Sequence, residues 1–293
     1  MVALPRSEQP IRIIDPHLHL FDLSQGHYHW LQSDQPPYWS GKEKIARHYC
    51  ESDLQLPPNL ELAGFVHIEA GFDNLRPWRE IAWLEDHCQL PFRSVGYADL
   101  NSDNFVHTVE RQLEYASLVG IRNIVPEGAL SMLNTTRTAA YLGFLAEHHL
   151  ILELQLNLCQ PEALQSLQVI ADRWPSLRIV LNHAGMIADM RPEWCEVIQA
   201  LAERTNCFVK CSGWEMQRTH WTLPQVMPVL SFLLEALSPS RLMLASNFPV
   251  SELSCSYAQL WQGYAQQLDT TLPAALFYEN ARRVYGFSER ELI

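Results

Sequence analysis

The sequence carries no excess of positive charge. Its 293 residues include 21 Lys and Arg against 33 Asp and Glu, which gives a formal net charge of −12. Nucleic acids and anionic membrane surfaces are bound through a basic footprint. The acidic balance therefore argues against both as partners, and we expect a small-molecule substrate instead.

Long apolar runs are also missing. No stretch of eighteen apolar residues occurs, so the sequence predicts no transmembrane helix. Residues 1–10 are short and polar and contain no apolar core of a secretory signal. We accordingly expect a cytoplasmic protein.

Regularly paired cysteines are absent as well. The seven cysteines are odd in number and irregular in spacing, and no C-x-x-C pair is present. A disulfide framework or a zinc ribbon needs paired cysteines at fixed spacings. We expect reduced and mostly buried thiols, as in a cytosolic protein.

The sequence does contain eight short apolar runs. They are rich in Val, Ile, Leu and Phe, and several are apolar on both faces, as parallel strands covered on both sides are. The runs are residues 11–15, 64–70, 93–100, 120–125, 150–156, 177–183, 207–213 and 241–247.

Amphipathic segments of helical length separate the runs, with apolar residues at spacings of three and four. They cover residues 75–88, 104–118, 135–149, 161–174, 192–205, 223–237 and 257–268, and residues 279–286 read as a closing helix. Strands alternating with helices indicate right-handed βαβ units. Eight such units predict a (β/α)8 TIM barrel with residues 1–293 in a single domain. An open, doubly wound sheet is the alternative, but no Gly-rich phosphate loop follows an early strand.

One connection, residues 21–60, is unusually long. It holds four prolines and a high density of aromatic residues. Long loops inside compact domains are usually lids or binding loops, although packing by its own aromatic residues would be compatible with this segment. We expect it to contribute substrate-binding residues, Trp30 and Tyr38 among them.

Polar residues gather where the predicted strands end. In Asp15-Pro16-His17-Leu18-His19, alternation along a strand places Asp15, His17 and His19 on one face. Active sites of (β/α)8 barrels lie at the C-terminal ends of the strands, and unpartnered buried polar groups cost about 1–3 kcal/mol each. A shared polar mouth is therefore predicted. The later strands contribute Glu69, Asp99, Arg122, Glu153, His183, Lys210 and Asn247.

This series of motifs resembles the amidohydrolase superfamily, and in particular its lactonase branch, related to 2-pyrone-4,6-dicarboxylate lactonase and sugar-lactone hydrolases. The motifs span most of the chain in the order found in that family. They are DPHLHLFD at 15–22, VHIEA at 66–70, GIR at 120–122, LNHAG at 181–185, VKCSG at 209–213, SNFPV at 246–250 and NA at 280–281.

The resemblance implies a hydrolase that opens a small lactone, sugar-derived or carboxylated, by attack of water on its carbonyl. It implies that His17, His19 and His183 surround that carbonyl, with or without one divalent metal, for which imidazole would suit Zn²⁺ or Mn²⁺. The branch usually carries a water-activating aspartate after the serine of strand eight. This chain has Asn247 there, and a neutral amide cannot take a proton from water. We therefore expect Asn247 to orient water, with Glu69 or a histidine as the base.

Two cationic residues of the mouth have two interpretations each. Arg122 lies near the place where other branches carry a lysine that bridges two metals, which disfavours a dinuclear site. It is expected to bind a substrate carboxylate or hydroxyl through its fork, or else to form an interior salt bridge. Lys210 is expected to bind substrate or to pair with a neighbouring carboxylate.

Two other functions stay open on the sequence. Related branches include metal-dependent decarboxylases of small carboxylic acids. Asn247 also raises the possibility of a barrel that binds a ligand without turning it over.

Overall fold

The sheet consists of parallel strands paired in the order in which they occur along the chain. The computed structural model describes residues 9–187, 189–268 and 270–292, and within them each strand is hydrogen-bonded to the next. This order is that of a (β/α)8 barrel, whereas a doubly wound sheet reverses its order at one point. The predicted barrel is confirmed. Its strands are β1 (Ile11–Leu18), β2 (Leu60–Ile68), β3 (Phe92–Tyr97), β4 (Leu118–Ile124), β5 (Ile151–Gln155), β6 (Ile179–Leu181), β7 (Cys207–Cys211) and β8 (Leu242–Leu244).

Helices lie between the strands, and every predicted amphipathic segment contains one. They are α1 (Trp78–His87), α2 (Phe105–Gln112), α3 (Thr136–Glu147), α4 (Ala163–Arg173), α5 (His183–Met186), α6 (Pro192–Ala200), α7 (Trp214–Gln217), α8 (Leu223–Ala236), α9 (Tyr257–Ala265) and α10 (Glu279–Tyr285). The short α5 and α7 begin within three residues of the ends of β6 and β7 and were not predicted. None of the helices in the described ranges is long and apolar enough to cross a membrane.

The N-terminal end of the barrel is closed by apolar side chains. Ile14, Ile151 and Phe208, which lie in β1, β5 and β7, form one buried cluster with Tyr285 of α10. Each of these strand residues precedes the polar residues of its own strand. The helix α10 is thus the expected closing helix, and it ends at Gly286, whose φ of 70° suits glycine.

The barrel is closed by hydrogen bonds between β1 and the segment after β8. The N–H of Asn247 donates to the carbonyl of His17 (2.8 Å), and the N–H of His19 donates to the carbonyl of Phe248 (2.7 Å). The register of β1 shifts after Asp15, whose buried Oδ1 accepts the N–H of Ser246 (3.1 Å). Asp15 therefore faces this seam and not the mouth, which corrects the expectation that it shares a face with His17 and His19.

The cysteines form no disulfide in the described residues. The expectation of mostly buried thiols is wrong, because Cys207 and Cys211 alone are buried, and Cys50 is exposed. Those two lie inside β7, whereas the other cysteines lie on helices or in connections, where one side meets solvent.

The long connection between β1 and β2 folds back over the C-terminal end of the barrel. An antiparallel bridge joins Phe21 to Tyr49, so residues 21–49 form a closed loop with its own aromatic packing. The ammonium group of Lys42, which is 4% exposed, holds this loop together. It donates to the carbonyls of Trp30 (2.8 Å), Gln32 (2.6 Å) and Gln35 (2.5 Å).

Replacement of Lys42 by Met is expected to loosen this loop. Three carbonyl groups would lose their donor, which predicts a loss of about 1–3 kcal/mol in the free energy of unfolding and faster limited proteolysis within residues 21–49. The exposed neighbour Lys44 provides the matched control, Lys44→Met. Equal rates of proteolysis in the two variants would contradict the role given to Lys42.

Candidate active site

A cleft of about 550 Å³ opens at the C-terminal ends of the strands. Two kinds of residue form its walls. Strand ends and the turns after them provide His19, Glu69, Tyr97, Arg122, Gln155, His183 and Asn247, and the β1–β2 connection provides Trp30, Pro36, Pro37 and Trp39. The predicted polar mouth therefore exists, with an aromatic wall on one side.

Three histidines cluster at the base of this cleft, where His19 and His183 line it and His17 lies fully buried beneath them. The ring centroid of His17 lies 4.5 Å from that of His183 and 5.2 Å from that of His19. All three side chains are buried, and burial lowers each pKa well below its usual value. Neighbouring cations act in the same direction, Lys210 on His17 and Arg122 on His19 and His183. The three imidazoles are consequently neutral at pH 7.

The hydrogen bonds of His17 and His19 give them opposite tautomers. The Nδ1 atom of His19 lies 2.7 Å from the carbonyl oxygen of Ile68, which can only accept, so this nitrogen carries the proton and Nε2 keeps a lone pair. The Nδ1 atom of His17 lies 3.3 Å from the ammonium group of Lys210, which can only donate. The proton of His17 is therefore on Nε2, a buried atom that has no hydrogen-bond partner in the described part of the chain.

A fully buried ion pair sets the tautomer of His17. The Nζ atom of Lys210 lies 2.6 and 2.8 Å from the carboxylate oxygens of Glu153, and both side chains are 0% exposed. Glu153 also accepts the hydroxyl of Tyr285 (2.7 Å) and the amide N–H of Asn182 (2.7 Å). Burial lowers the pKa of Lys210 to about 8, while Glu153 acts in the opposite direction.

Arg122 reaches the cleft already paired. Its guanidinium donates to Glu69 through Nε (2.8 Å) and Nη2 (2.7 Å), and Nη2 also donates to the main-chain carbonyl of Glu69. Burial raises the pKa of Glu69, and Arg122 opposes that effect. The interior salt bridge that the sequence left open for Arg122 is present, so this part of the cleft has little net charge.

Asn247 is also held by a carboxyl group. Its amide N–H donates to Oε1 of Glu215 at 2.5 Å, and Glu215 is 5% exposed. Burial raises the pKa of Glu215 to about 7, against the lowering effect of the Asn247 hydrogen bond.

The backbone is left-handed at several residues of the site, His183 and Asn247 among them. The φ angle is 54° at His183 and 59° at Asn247, a conformation that Asn and His adopt more readily than most residues. Gly213 is also left-handed, and a Cβ there would lie 2.5 Å from Cγ of His183. Such conformations persist where the surrounding structure enforces them, often at functional sites.

Two of the residues expected to bind substrate do not reach the cleft. Tyr38 is 75% exposed, and its neighbours Pro37 and Trp39 line the wall instead. Lys210 lies beneath the histidines in its pair with Glu153, the alternative that the sequence left open. Trp30 does line the cleft, and its indole N–H donates to the carbonyl of Ala70 (2.8 Å).

Sequence reasoning missed Glu215 and the function of Glu153. Glu215 lies two residues beyond Gly213, at which the seventh apolar run ends. An acidic residue just past a predicted strand is the signal that could have identified it as part of the site. Glu153 was noted as polar, but 57 residues separate it from Lys210. His67, which lies within the VHIEA motif, is satisfied by Glu80 (2.9 Å) and by the N–H of Leu20 (3.2 Å).

The donor set does not fit a resident divalent metal. Among the described residues, no three His, Cys, Asp or Glu side chains are arranged to hold an ion. A histidine ligand usually donates its second N–H to a carboxylate or carbonyl, as His19 does. His17 instead accepts from the Lys210 ammonium, and its protonated Nε2 has no lone pair for a metal.

Comparison with known proteins agrees with the fold and the motifs. An uncharacterized protein of Sinorhizobium fredii, y4mH, is 33% identical over 295 residues, covering 94% of this chain and 98% of that protein. The L-fucono-1,5-lactonase of Burkholderia ambifaria is 25% identical over 259 residues, covering 84% of this chain and 87% of the relative.

A solved structure has the same fold. An amidohydrolase from Burkholderia multivorans, with bound zinc, superposes with a TM-score of 0.74 at 21% identity, covering 94% of this chain and 99% of that one. In addition, the sequence profile of one family, described as Amidohydrolase, matches residues 14–287. The chain belongs to the amidohydrolase family.

Proposed function

We propose that this amidohydrolase opens a neutral, sugar-derived lactone by attack of water, without a metal. The observation that carries the proposal is the opposite tautomers of His17 and His19. A neutral N–H donor thereby lies directly beneath the cleft, beside the neutral lone pair of His19, which lines it. Ester hydrolysis needs both, a donor for the oxygen that becomes negative and an acceptor for the proton of water.

The residues can be assigned to the steps of hydrolysis. The N–H of His17 donates to the carbonyl oxygen, while Nε2 of His19 takes a proton as the water oxygen bonds to the carbonyl carbon. The resulting tetrahedral oxyanion then re-forms its C=O bond, and the bond between the carbonyl carbon and the ring oxygen breaks. His19 returns its proton to that ring oxygen, so lactone and water yield one hydroxy acid.

Glu69 is the less suitable base, although the sequence left it open. Its carboxylate accepts from Nε and Nη2 of Arg122. A proton taken from water would have to replace one of these charge-assisted hydrogen bonds, which are about twice as strong as neutral ones. In the described residues, the Nε2 atom of His19 accepts no hydrogen bond that a proton from water would have to replace.

The charge of the cleft supports a neutral substrate. Glu69 already neutralises Arg122, and the three histidines are uncharged, so a carboxylate on the substrate would have to displace Glu69 from its cation. Trp30, Trp39 and Tyr97 present apolar faces that suit the C–H face of a sugar ring. The similarity to an L-fucono-1,5-lactonase points to the same class. The pairing of Arg122 likewise disfavours a decarboxylase, whose substrate is an acid.

A lactone panel tests the proposal directly. The wild-type protein is expected to hydrolyse 1,5-lactones of neutral sugars with kcat/KM at least tenfold above that for 2-pyrone-4,6-dicarboxylate, measured by the acid released. His17→Ala is expected to lower kcat by about 10²–10³, as loss of an oxyanion donor does. His148→Ala, at the exposed end of α3, is the control. Absence of turnover on every lactone would contradict the proposal, and release of carbon dioxide from a panel of carboxylic acids would favour the decarboxylase.

Metal removal gives a second prediction. Protein treated with a chelator and shown by metal emission to be metal-free is expected to keep its lactonase kcat/KM within about twofold, since the Nε2 proton of His17 excludes it as a ligand. Added Zn²⁺ or Mn²⁺ is expected to give no increase. Loss of activity on chelation, with recovery on adding either ion, would show that the metal-dependent alternative is right.

Replacement of Lys210 distinguishes its contribution to the stability of the fold from its role in fixing the tautomer of His17. Lys210→Met leaves the buried Glu153 carboxylate without its cation, which predicts a loss of about 3–5 kcal/mol in the free energy of unfolding. Adding Glu153→Gln removes that charge and is expected to recover much of the stability in urea denaturation. Lactonase activity is expected to stay low in the double variant, because nothing then holds the tautomer of His17. Recovery of wild-type kcat in the double variant would contradict the positioning role.

A further inference from the structure

We propose that Glu215 supplies, through Asn247, the negative charge that holds the attacking water at the eighth strand. Glu215 is in this view a positioning residue, and the Asn247–Glu215 pair takes the place of a single aspartate. This inference rests on the proposed hydrolysis of a lactone, because it concerns the water of that reaction.

The hydrogen bond fixes which end of the Asn247 amide is available to water. Oε1 of Glu215 lies 2.5 Å from Nδ2 of Asn247, and a carboxylate oxygen can only accept. The flipped amide would put two acceptor oxygens together. The other polar atom of the amide, Oδ1, is a hydrogen-bond acceptor. Asn247 lines the cleft, whereas Glu215 does not. Water in the cleft therefore meets an oxygen acceptor, as it would beside an aspartate.

The main chain fixes the position of this acceptor. The N–H of Asn247 donates to the carbonyl of His17 in the seam that closes the barrel, and its left-handed φ of 59° is one that Asn tolerates. Asn247 is thus tied to His17 through its backbone and to Glu215 through its side chain. These two hydrogen bonds, one to a main-chain carbonyl and one to a carboxylate, leave the imidazoles of the site unoccupied.

Among the residues that the structure describes, no cation pairs with Glu215. Glu69 and Glu153 pair with Arg122 and Lys210, whereas no Lys or Arg in the described ranges forms a salt bridge with Glu215. A hydrogen bond to an ionised group polarises its donor, so the carboxylate makes Oδ1 of Asn247 a stronger acceptor.

Two titratable groups that interact with Glu215 from neighbouring elements, Cys255 and Tyr264, are neutral. Cys255, after the turn Val250–Leu253, has its pKa raised to about 11, chiefly by burial. Tyr264 of α9 has its pKa raised well above the usual value, also by burial. Glu252, in that turn, is hydrogen-bonded to Tyr49 (2.7 Å). Titration near pH 7 on this side of the cleft accordingly belongs to Glu215 itself.

Exchange of the two side chains tests the pair. Asn247→Asp alone places two carboxyl groups at hydrogen-bond distance, where both cannot be ionised. Glu215→Gln alone keeps a hydrogen bond but removes the charge. The double variant Asn247→Asp, Glu215→Gln restores one carboxyl group and one amide with the hydrogen bond reversed. A positioning role for the charge predicts that the exchange rescues what either single change impairs.

The pH profile of kcat/KM is the decisive measurement. Wild-type activity is expected to rise through about pH 7 as Glu215 ionises, and Glu215→Gln is expected to lose this limb and to be about tenfold slower at pH 8, a difference of about 1.4 kcal/mol. The exchange variant is expected to recover to within about fivefold of wild type. Glu252→Gln is the control. An unchanged profile in Glu215→Gln, or an exchange variant slower than both single variants, would overturn the proposal.

A second readout requires no substrate. The raised pKa of Glu215 means that the folded state binds this proton more tightly than the unfolded state, so wild-type stability falls as pH rises from about 4.5 to about 7. Glu215→Gln is expected to lack that part of the decline. If its stability follows the wild-type pH dependence, the proposal fails whether or not a lactone is hydrolysed. If Glu215→Gln lacks this pH-dependent loss of stability but the wild-type protein hydrolyses no lactone, the proposed function fails. The proposal that the Asn247–Glu215 pair positions the attacking water then fails with it.

Discussion

The buried pair between Lys210 and Glu153 is the interaction on which the rest of this barrel depends. Both side chains are fully buried, and desolvation of two such charges costs several kcal/mol each unless further hydrogen bonds satisfy them. Those bonds come from Tyr285 of the closing helix and from Asn182 after β6. The pair thus joins the apolar closure below to the cleft above, and its remaining contact, with Nδ1 of His17, determines which nitrogen of that imidazole carries the proton.

Several charged residues of the interior are arranged in compensated pairs, with Glu215 an exception, and this leaves the wall around Arg122 with little net charge. Arg122 is matched by Glu69, and His67 by Glu80, while the histidines of the cleft are kept neutral by burial and by nearby cations. Catalysis in such a site depends on hydrogen-bond polarity more than on net charge. In the proposed hydrolysis, a donor, a lone pair and an oriented amide would act on the ester, and preorganised dipoles act strongly where water is scarce.

Much of the fold could be predicted because hydrophobic periodicity records it directly. Each of the eight apolar runs overlaps a strand. The strands β1 and β2 extend beyond their runs, whereas β6 and β8 are shorter than predicted, because His183 begins α5 and residues 245–247 form the seam with β1. The pairing of Lys210 with Glu153 could not be predicted, since barrel closure brings together residues 57 positions apart. In the β1–β2 connection no period indicates which side chains turn inward, and so Trp39 lines the cleft while Tyr38 meets solvent.

In the sequence, Asn247 departs from the usual aspartate and leaves the base open, and its surroundings account for the amide. An aspartate there would lie 2.5 Å from the carboxyl oxygen of Glu215, and such a pair would share a proton and titrate jointly. An amide avoids that repulsion, because it donates one N–H to Glu215 and keeps an oxygen for water. The asparagine and the glutamate are therefore consistent only with each other. The effect of a substitution at position 247 depends on residue 215. The SNFPV motif does not include Glu215, and it therefore could not by itself identify the acceptor for water.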